Sequence, residues 1–121
     1  MTFPTIAYKH TNTNVDYKLQ DLLVQKFSSL EKYIGDETDV RYEVEFEKVT
    51  PQQNGNIYRV ETNLWLKGNL YRAESIDENF EKATDEVRDQ LAKKLRRASK
   101  KHTNRFLQGA RRIKEMMRFG R

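Results

Sequence analysis

The pattern of apolar and polar positions along the chain predicts two helices. One is expected over residues 17–33, where apolar side chains recur at spacings of three and four; they are Leu19, Leu22, Leu23, Phe27, Leu30 and Ile34. Asp16 is a candidate N-cap for this helix, and Gly35 can adopt the left-handed backbone that ends many helices. A second apolar stripe follows the candidate N-cap Asp77 and continues to about residue 101.

Alternation of apolar and polar side chains predicts four strands. It is clearest at residues 40–47, where every second side chain is apolar and the others are an arginine and three glutamates. The remaining strands are expected over residues 3–9, 58–66 and 70–75, with a loop from His10 to Asn14, a hairpin loop at 49–55 and a turn at 67–69. The order βαβββα predicts an α+β fold in which two helices pack on one face of a four-stranded sheet.

Composition limits the class of protein. The 121 residues are 36% hydrophobic and 34% charged, which is typical of one polar globular domain. The N-terminus lacks the basic and apolar regions of a signal peptide, and no apolar run is long enough to span a membrane. There is no cysteine, which excludes disulfides and thiol catalysis. We therefore expect a cytoplasmic protein.

The net charge of +5 conceals an uneven distribution. Residues 1–92 hold 11 Lys+Arg and 17 Asp+Glu, whereas residues 93–121 hold 12 Lys+Arg and one acid, Glu115. An acidic body with a basic end favours a polyanionic partner, either a nucleic acid or a membrane surface.

Helical periodicity concentrates the basic charge on one face of the last predicted helix. With Leu91 and Leu95 facing the core, four cations fall on the opposite face and two on a flank. Like charges four residues apart destabilise a helix by about 0.2–0.5 kcal/mol per pair, and the helix dipole accounts for cations only in the last turn. The sequence therefore predicts an anion-binding site; the opposite face carries Lys93, Arg96, Arg97 and Lys100, and the flank carries Lys94 and Lys101.

The chain divides into a predicted domain at residues 1–101 and a basic segment at 102–121. Apolar residues in that segment keep helical spacing, but Gly109 weakens a helix, so a mobile tail and a short amphipathic helix both remain open. Its candidate RNA-binding residues are Arg105, Arg111 and Arg112.

Other candidate chemistry is weaker. Trp65 is expected on the open face of the sheet, where it either stacks on a base or packs against Arg59 and Leu70. His10 and His102 have no companion at metal-ligand spacing, and no catalytic set or phosphate-binding glycine loop is present, so we expect neither enzyme activity nor a cofactor. Cross-strand ion pairs explain the charges on the sheet; they involve Glu43, Glu45, Glu47, Arg41, Arg59 and Arg72.

The element order separates this chain from one class of RNA-binding domain. An RNA-recognition motif stacks bases on sheet aromatics, and it has the order βαββαβ. This chain has neither that order nor those aromatics. A basic helix that contacts phosphates fits better, so the residues alone indicate an RNA-binding α/β domain.

Three stretches resemble one known family. Residues 26–33 end in Leu-Glu-Lys-Tyr, residues 58–74 are similar to two consecutive strands of the family, and residues 77–85 begin with Asp-Glu-Asn-Phe before the basic run. On these stretches, which together cover about residues 4–101, the chain resembles the ribosome hibernation-promoting factors and ribosome-associated translation inhibitors of bacteria and plastids.

The resemblance implies a function. Such a domain binds the small ribosomal subunit between its head and body, contacts ribosomal RNA through basic residues of both helices, and blocks translation by competing with mRNA and tRNA. It would be a short form that is monomeric off the ribosome. By position, the resemblance implies that the residues in contact with RNA are Lys93, Arg97 and their neighbours, together with Lys26 and Lys32 on the first helix.

Two departures and two alternatives accompany this expectation. Gln90 and Ser29 stand where many family members have a basic residue, which shifts the basic patch toward the end of the last helix.

One alternative is another RNA-binding factor, active in stress or in ribosome assembly, that uses the same basic helix. The other is a membrane or partner-protein binder that uses the amphipathic basic segment.

Overall fold

The computed structural model describes residues 5–51 and 55–119, with side chains for residues 5–51 and 55–100. Its elements follow the predicted order and form the predicted α+β fold. The strands are β1 (Ile6–Thr11), β2 (Val40–Lys48), β3 (Tyr58–Leu66) and β4 (Asn69–Asp77). The helices are α1 (Tyr17–Phe27), α2 (Glu31–Ile34) and α3 (Phe80–Phe119), and a single 3-10 turn at Ser28–Leu30 joins α1 to α2.

The four strands form one mixed sheet in the order β1-β2-β3-β4. β1 is parallel to β2, and the other two pairs are antiparallel. β1 and β4 are therefore the edge strands. Because alternate residues of a strand point to opposite faces, the register aligns Tyr42, Leu64 and Tyr71 in one row on the side that the helices cover.

The core lies between that face of the sheet and the helices. Tyr42 and Phe46 from β2 are almost fully buried, as are Phe27 from α1 and Leu91 from α3. The ring of Phe80 meets Phe46 edge-on, with 5.3 Å between ring centroids. α3 therefore buries the predicted apolar stripe and leaves its opposite face to solvent.

Side chains at the ends of the helices explain where they begin and stop. Asp16 is the N-cap of α1, as predicted, and its carboxylate accepts a hydrogen bond of 2.9 Å from the Leu19 amide. Gly35 ends α2 with a φ of 60°, a conformation that a side chain would disfavour.

The predicted N-cap of the last helix is wrong. Asp77 lies at the end of β4, where it pairs with Tyr58 of β3, and strand pairing is incompatible with a capping position. The cap is Asn79, whose side-chain oxygen accepts a 2.8 Å hydrogen bond from the Lys82 amide. Asp and Asn are equally good caps, so pairing across the sheet decided between them.

The first strand also differs from the prediction. His10 and Thr11 were expected in a loop, but they continue β1 opposite Phe46 and Glu47 of β2. Their polar side chains are tolerated because β1 is an edge strand with solvent on one side.

α3 contains 40 residues. At 1.5 Å per residue it is about 60 Å long, well beyond the width of the sheet. Its backbone stays helical past residue 101, where the sequence placed the end of the domain. The division at that residue stays a prediction.

Candidate nucleic-acid interface

Four cations form an exposed ridge on α3. Leu91 and Leu95 of the same helix are 0% and 2% exposed and face the core, so helical geometry places the cations on the opposite side, facing solvent. The predicted face is confirmed. We define the α3 ridge as Lys93, Arg96, Arg97 and Lys100, all of which are exposed.

The α3 ridge differs from the preceding turns of the same helix in its ion pairing. There the cations have acidic neighbours: Lys82 pairs with Glu78, and an Arg88 nitrogen lies 3.0 Å from an Asp89 oxygen. Within residues 5–51 and 55–100, no ridge residue makes an ion pair with a carboxylate. Among the described side chains, the α3 ridge is thus a positive surface without acidic partners, and its role in RNA binding stays a prediction.

Lys94 lies on the flank, as predicted, but its ammonium already has a partner. It donates a hydrogen bond to the backbone carbonyl of Arg72 on β4. The other candidates on α3 lie outside the described side chains; they are Lys101, Arg105, Arg111 and Arg112.

Lys26, predicted to contact RNA from the first helix, is held inside the protein. Only 17% of its side chain is exposed, and its ammonium lies 2.6 Å from an Asp85 oxygen and 3.7 Å from a Glu81 oxygen. Sequence inspection missed this pairing because Asp85 is 59 residues away along the chain. Lys32 is exposed, with its ammonium 5.2 Å from the centre of the Tyr33 ring. Of the two, only Lys32 is available to a ligand in this structure.

The open face of the sheet carries cross-strand ion pairs at four of the six predicted residues, Glu45, Glu47, Arg59 and Arg72, whereas Glu43 and Arg41 form none with the described residues. The Arg59 guanidinium is 15% exposed and bonds carboxylates on β2, β3 and β4. Its partners are Glu45 at 3.0 Å, Glu47 at 3.1 Å, Glu74 at 3.2 Å, and Glu61. A second cation, Arg72, reaches Glu61 at 2.5 Å. These ion pairs join β2, β3 and β4 on the open face of the sheet.

This network shifts two pKa values. Burial alone would raise the pKa of Glu45, but hydrogen bonds from Arg59 and Thr11 outweigh it, helped by the charges of Lys9 and Arg59, and hold that pKa below its ordinary value. Burial alone would lower the pKa of the Arg59 guanidinium, but the carboxylates around it outweigh burial and hold that pKa above its ordinary value. Both groups are therefore fixed in their charged forms at neutral pH.

Trp65 lies on the same open face with a different partner from the one expected. The Arg41 guanidinium stacks on its ring, 4.2 Å from the ring centre, because Arg41 is directly opposite Trp65 in the ladder. Arg59, the predicted neighbour, is opposite Glu47 instead. Leu70 is opposite Trp65 on β4, as expected. One face of the ring is thus occupied by the protein itself.

The part of the chain that the structure describes offers no metal site, since no group of three or more His, Asp or Glu side chains converges there. No helix in the same part has the length and apolarity to cross a membrane.

Comparison with known proteins decides the family. Residues 6–103 match the family described as Sigma 54 modulation protein / S30EA ribosomal protein. The chain belongs to this family. The match covers the sheet, α1, α2 and α3 as far as residue 103, which includes the α3 ridge, and it confirms the resemblance to ribosome hibernation factors.

Solved structures share the fold. The N-terminal domain of Protein Y from Thermus thermophilus superposes with a TM-score of 0.65 and 22% identity, over 78% of this chain and 98% of that one. A ribosomal subunit interface protein from Coxiella burnetii gives a TM-score of 0.62 and 15% identity, over 78% and 96%. No curated protein matches the sequence. At these identities the structures show the shared βαβββα fold alone.

Proposed function

We propose that this protein binds the small ribosomal subunit through ribosomal RNA and stops translation by occupying the channel that mRNA and tRNA use. Membership in a ribosome-associated family supports the choice of partner. The titles of the two structural neighbours, a Protein Y domain and a ribosomal subunit interface protein, point the same way.

The observation that carries the proposal is the α3 ridge. Its four cations are exposed and side by side, and they face away from the core. RNA presents a continuous line of phosphates, and cations that the protein leaves unpaired gain most from displacing the counterions around them. A rigid helix also holds them in a fixed arrangement, which favours a folded RNA surface over a flexible polyanion.

The proposed mechanism is steric and needs no chemical step. A folded domain that fills the channel excludes mRNA and tRNA by volume, and phosphate contacts from the α3 ridge and Lys32 supply the affinity. Inhibition should therefore be reversible and competitive.

Co-sedimentation with purified small subunits tests the proposal. The parent chain should sediment with the subunits, and excess mRNA and tRNA together should displace it. Replacing the four ridge residues with Ala should abolish binding without unfolding the domain. A double variant, Lys82→Ala with Arg88→Ala, is the matched control, because it removes two cations of the same helix that have acidic partners.

The outcomes separate the proposal from its nearest alternative. Binding that mRNA and tRNA cannot displace would overturn the occlusion mechanism. A preference for immature over mature subunits would favour an assembly factor. Equal loss of binding in the ridge and control variants would show that the α3 ridge has no special role.

A further inference from the structure

The outer edge of β4 is covered by side chains from α3. β4 is an edge strand, so the backbone groups that point away from β3 have no neighbouring strand. The Gln90 amide nitrogen donates a 3.0 Å hydrogen bond to the Glu74 carbonyl, and its oxygen accepts one of 3.4 Å from the Glu74 amide. Lys94 donates to the Arg72 carbonyl. Arg72 and Glu74 are two residues apart, so these groups point to the same side of the strand.

The spacing of these contacts follows from the geometry of the two elements. Gln90 and Lys94 are one helical turn apart, a rise of about 6 Å. Glu74 and Arg72 are two strand residues apart, about 6.6 Å. α3 and β4 run in opposite directions, so each helical turn brings a side chain opposite the next outward-pointing residue. The match allows successive side chains to bond successive backbone groups without distortion.

The side-chain amide of Gln90 makes the same two hydrogen bonds to β4 that the backbone of a neighbouring strand would make. One donor and one acceptor on the same side chain bond the carbonyl and amide of the same residue, which is how paired residues bond in an antiparallel ladder. A lysine at an edge strand also opposes pairing with another chain, because adding a strand would bury its charge.

We propose that Gln90 and Lys94 form an edge cap that closes β4 against strand addition, and that Lys94 serves this cap instead of contacting RNA. The target excluded from β4 is an extended segment, above all the same strand of a second copy of this chain. The Gln90 amide suits this position because it can both donate to and accept from Glu74, whereas a lysine can only donate. The Lys94 half of the inference rests on the proposed function.

Hydrogen exchange and sedimentation test the cap. Gln90→Leu should speed exchange of the Glu74 amide at least tenfold, whereas Gln90→Glu, which keeps the acceptor, should speed it much less. Gln90→Leu combined with Lys94→Met should self-associate, with a weight-average mass that rises with concentration more steeply than that of the parent chain. Unchanged exchange at Glu74 together with an unchanged mass would overturn the cap.

Substitutions at the adjacent residues Lys93 and Lys94 test whether Lys94 contacts RNA. Lys93→Met removes a ridge cation and should lower the magnitude of the log-log salt slope of small-subunit binding by about 0.7–0.9. Lys94→Met should leave that slope unchanged. An equal drop in both variants would overturn the structural assignment of Lys94. If the parent chain does not bind subunits, the proposed function fails, but exchange and mass still decide the cap.

Discussion

The ammonium of Lys26 lies 2.6 Å from a carboxylate oxygen of Asp85, and this contact joins α1 to α3. A second oxygen, from Glu81, lies 3.7 Å away. The two helices that the family resemblance assigns to RNA are thus held together by one of the residues expected to touch it. In the free protein Lys26 positions the helices.

Replacing Lys26 should therefore reduce the free energy of unfolding more than it reduces the affinity for small subunits. Lys26→Met leaves Asp85 half-buried without its main partner, and we expect a loss of about 1 kcal/mol in the free energy of unfolding. Lys18→Met, at an exposed position on the same helix, is the control and should be neutral. Urea denaturation measures both. A Lys26→Met variant of full stability that no longer binds small subunits would return Lys26 to the interface.

Arg59 is expected to be the most costly charged residue to replace. Arg59→Met would leave four carboxylates facing one another on the sheet, with an expected loss of about 3 kcal/mol at neutral pH. Arg72→Met is the comparison, since its side chain is 61% exposed and it pairs only with Glu61 among the described residues; it should cost less than about 1 kcal/mol. Equal losses in the two variants would contradict a central role for Arg59.

The lowered pKa of Glu45 predicts acid sensitivity. Its ionised form is favoured in the folded state, so its contribution to stability is complete above its ordinary pKa of 4.5 and disappears as pH falls through the lower folded value. Stability should therefore decline with acid below about pH 4.5, and Glu45→Gln should make that decline shallower. Denaturation series at several pH values measure this. A parallel decline in parent and variant would mean that other carboxylates dominate.

Trp65 is expected to stabilise the fold and not to stack on an RNA base. With Arg41 on its ring, Trp65→Phe is expected to cost about 1 kcal/mol of stability or less and to change small-subunit affinity by less than about twofold. Trp65 is the single tryptophan, so its fluorescence reports directly on this site. Quenching by a short single-stranded RNA, with a tenfold loss of affinity in the variant, would instead establish base stacking.

The number of unpaired cations sets the expected salt dependence. Six candidate cations lie at residues 93–101, and one of them, Lys94, already has a backbone partner. The four residues of the α3 ridge together predict a log-log slope of roughly −3, and each further phosphate contact, such as one by Lys32, adds about 0.7–0.9 to its magnitude; six contacts predict about −4 to −5. Titrations of small-subunit binding at several salt concentrations give the slope. A value near zero would remove phosphate contacts from the mechanism.

Features that depend on neighbours along the chain could be predicted. Asp16 caps α1 because the required amide lies three residues ahead, and Leu91 and Leu95 mark the core face of α3 because helical geometry alone sets their spacing. The exposed position of the ridge followed from the same spacing.

Features that depend on distant partners could not. The ion pair of Lys26 with Asp85 and the contact of Gln90 with Glu74 join segments whose relative position the sequence does not specify. The choice of Asn79 over Asp77 as N-cap depended on strand pairing as well. In the candidate site, exposure of a cation was predictable, whereas its freedom from a partner was not.

The distribution of charge along α3 has a kinetic consequence. Exposed acids such as Glu81 and Glu86 occupy the first two turns, and the centre of the α3 ridge lies about 15 Å beyond Glu86. That separation exceeds the Debye length of about 8 Å at physiological salt, so the acidic start of α3 and the α3 ridge interact with a charged surface separately. Near a polyanion the acidic start of α3 is repelled while the α3 ridge is attracted, and the resulting torque turns the protein before contact. Its encounters should therefore occur in a preferred orientation.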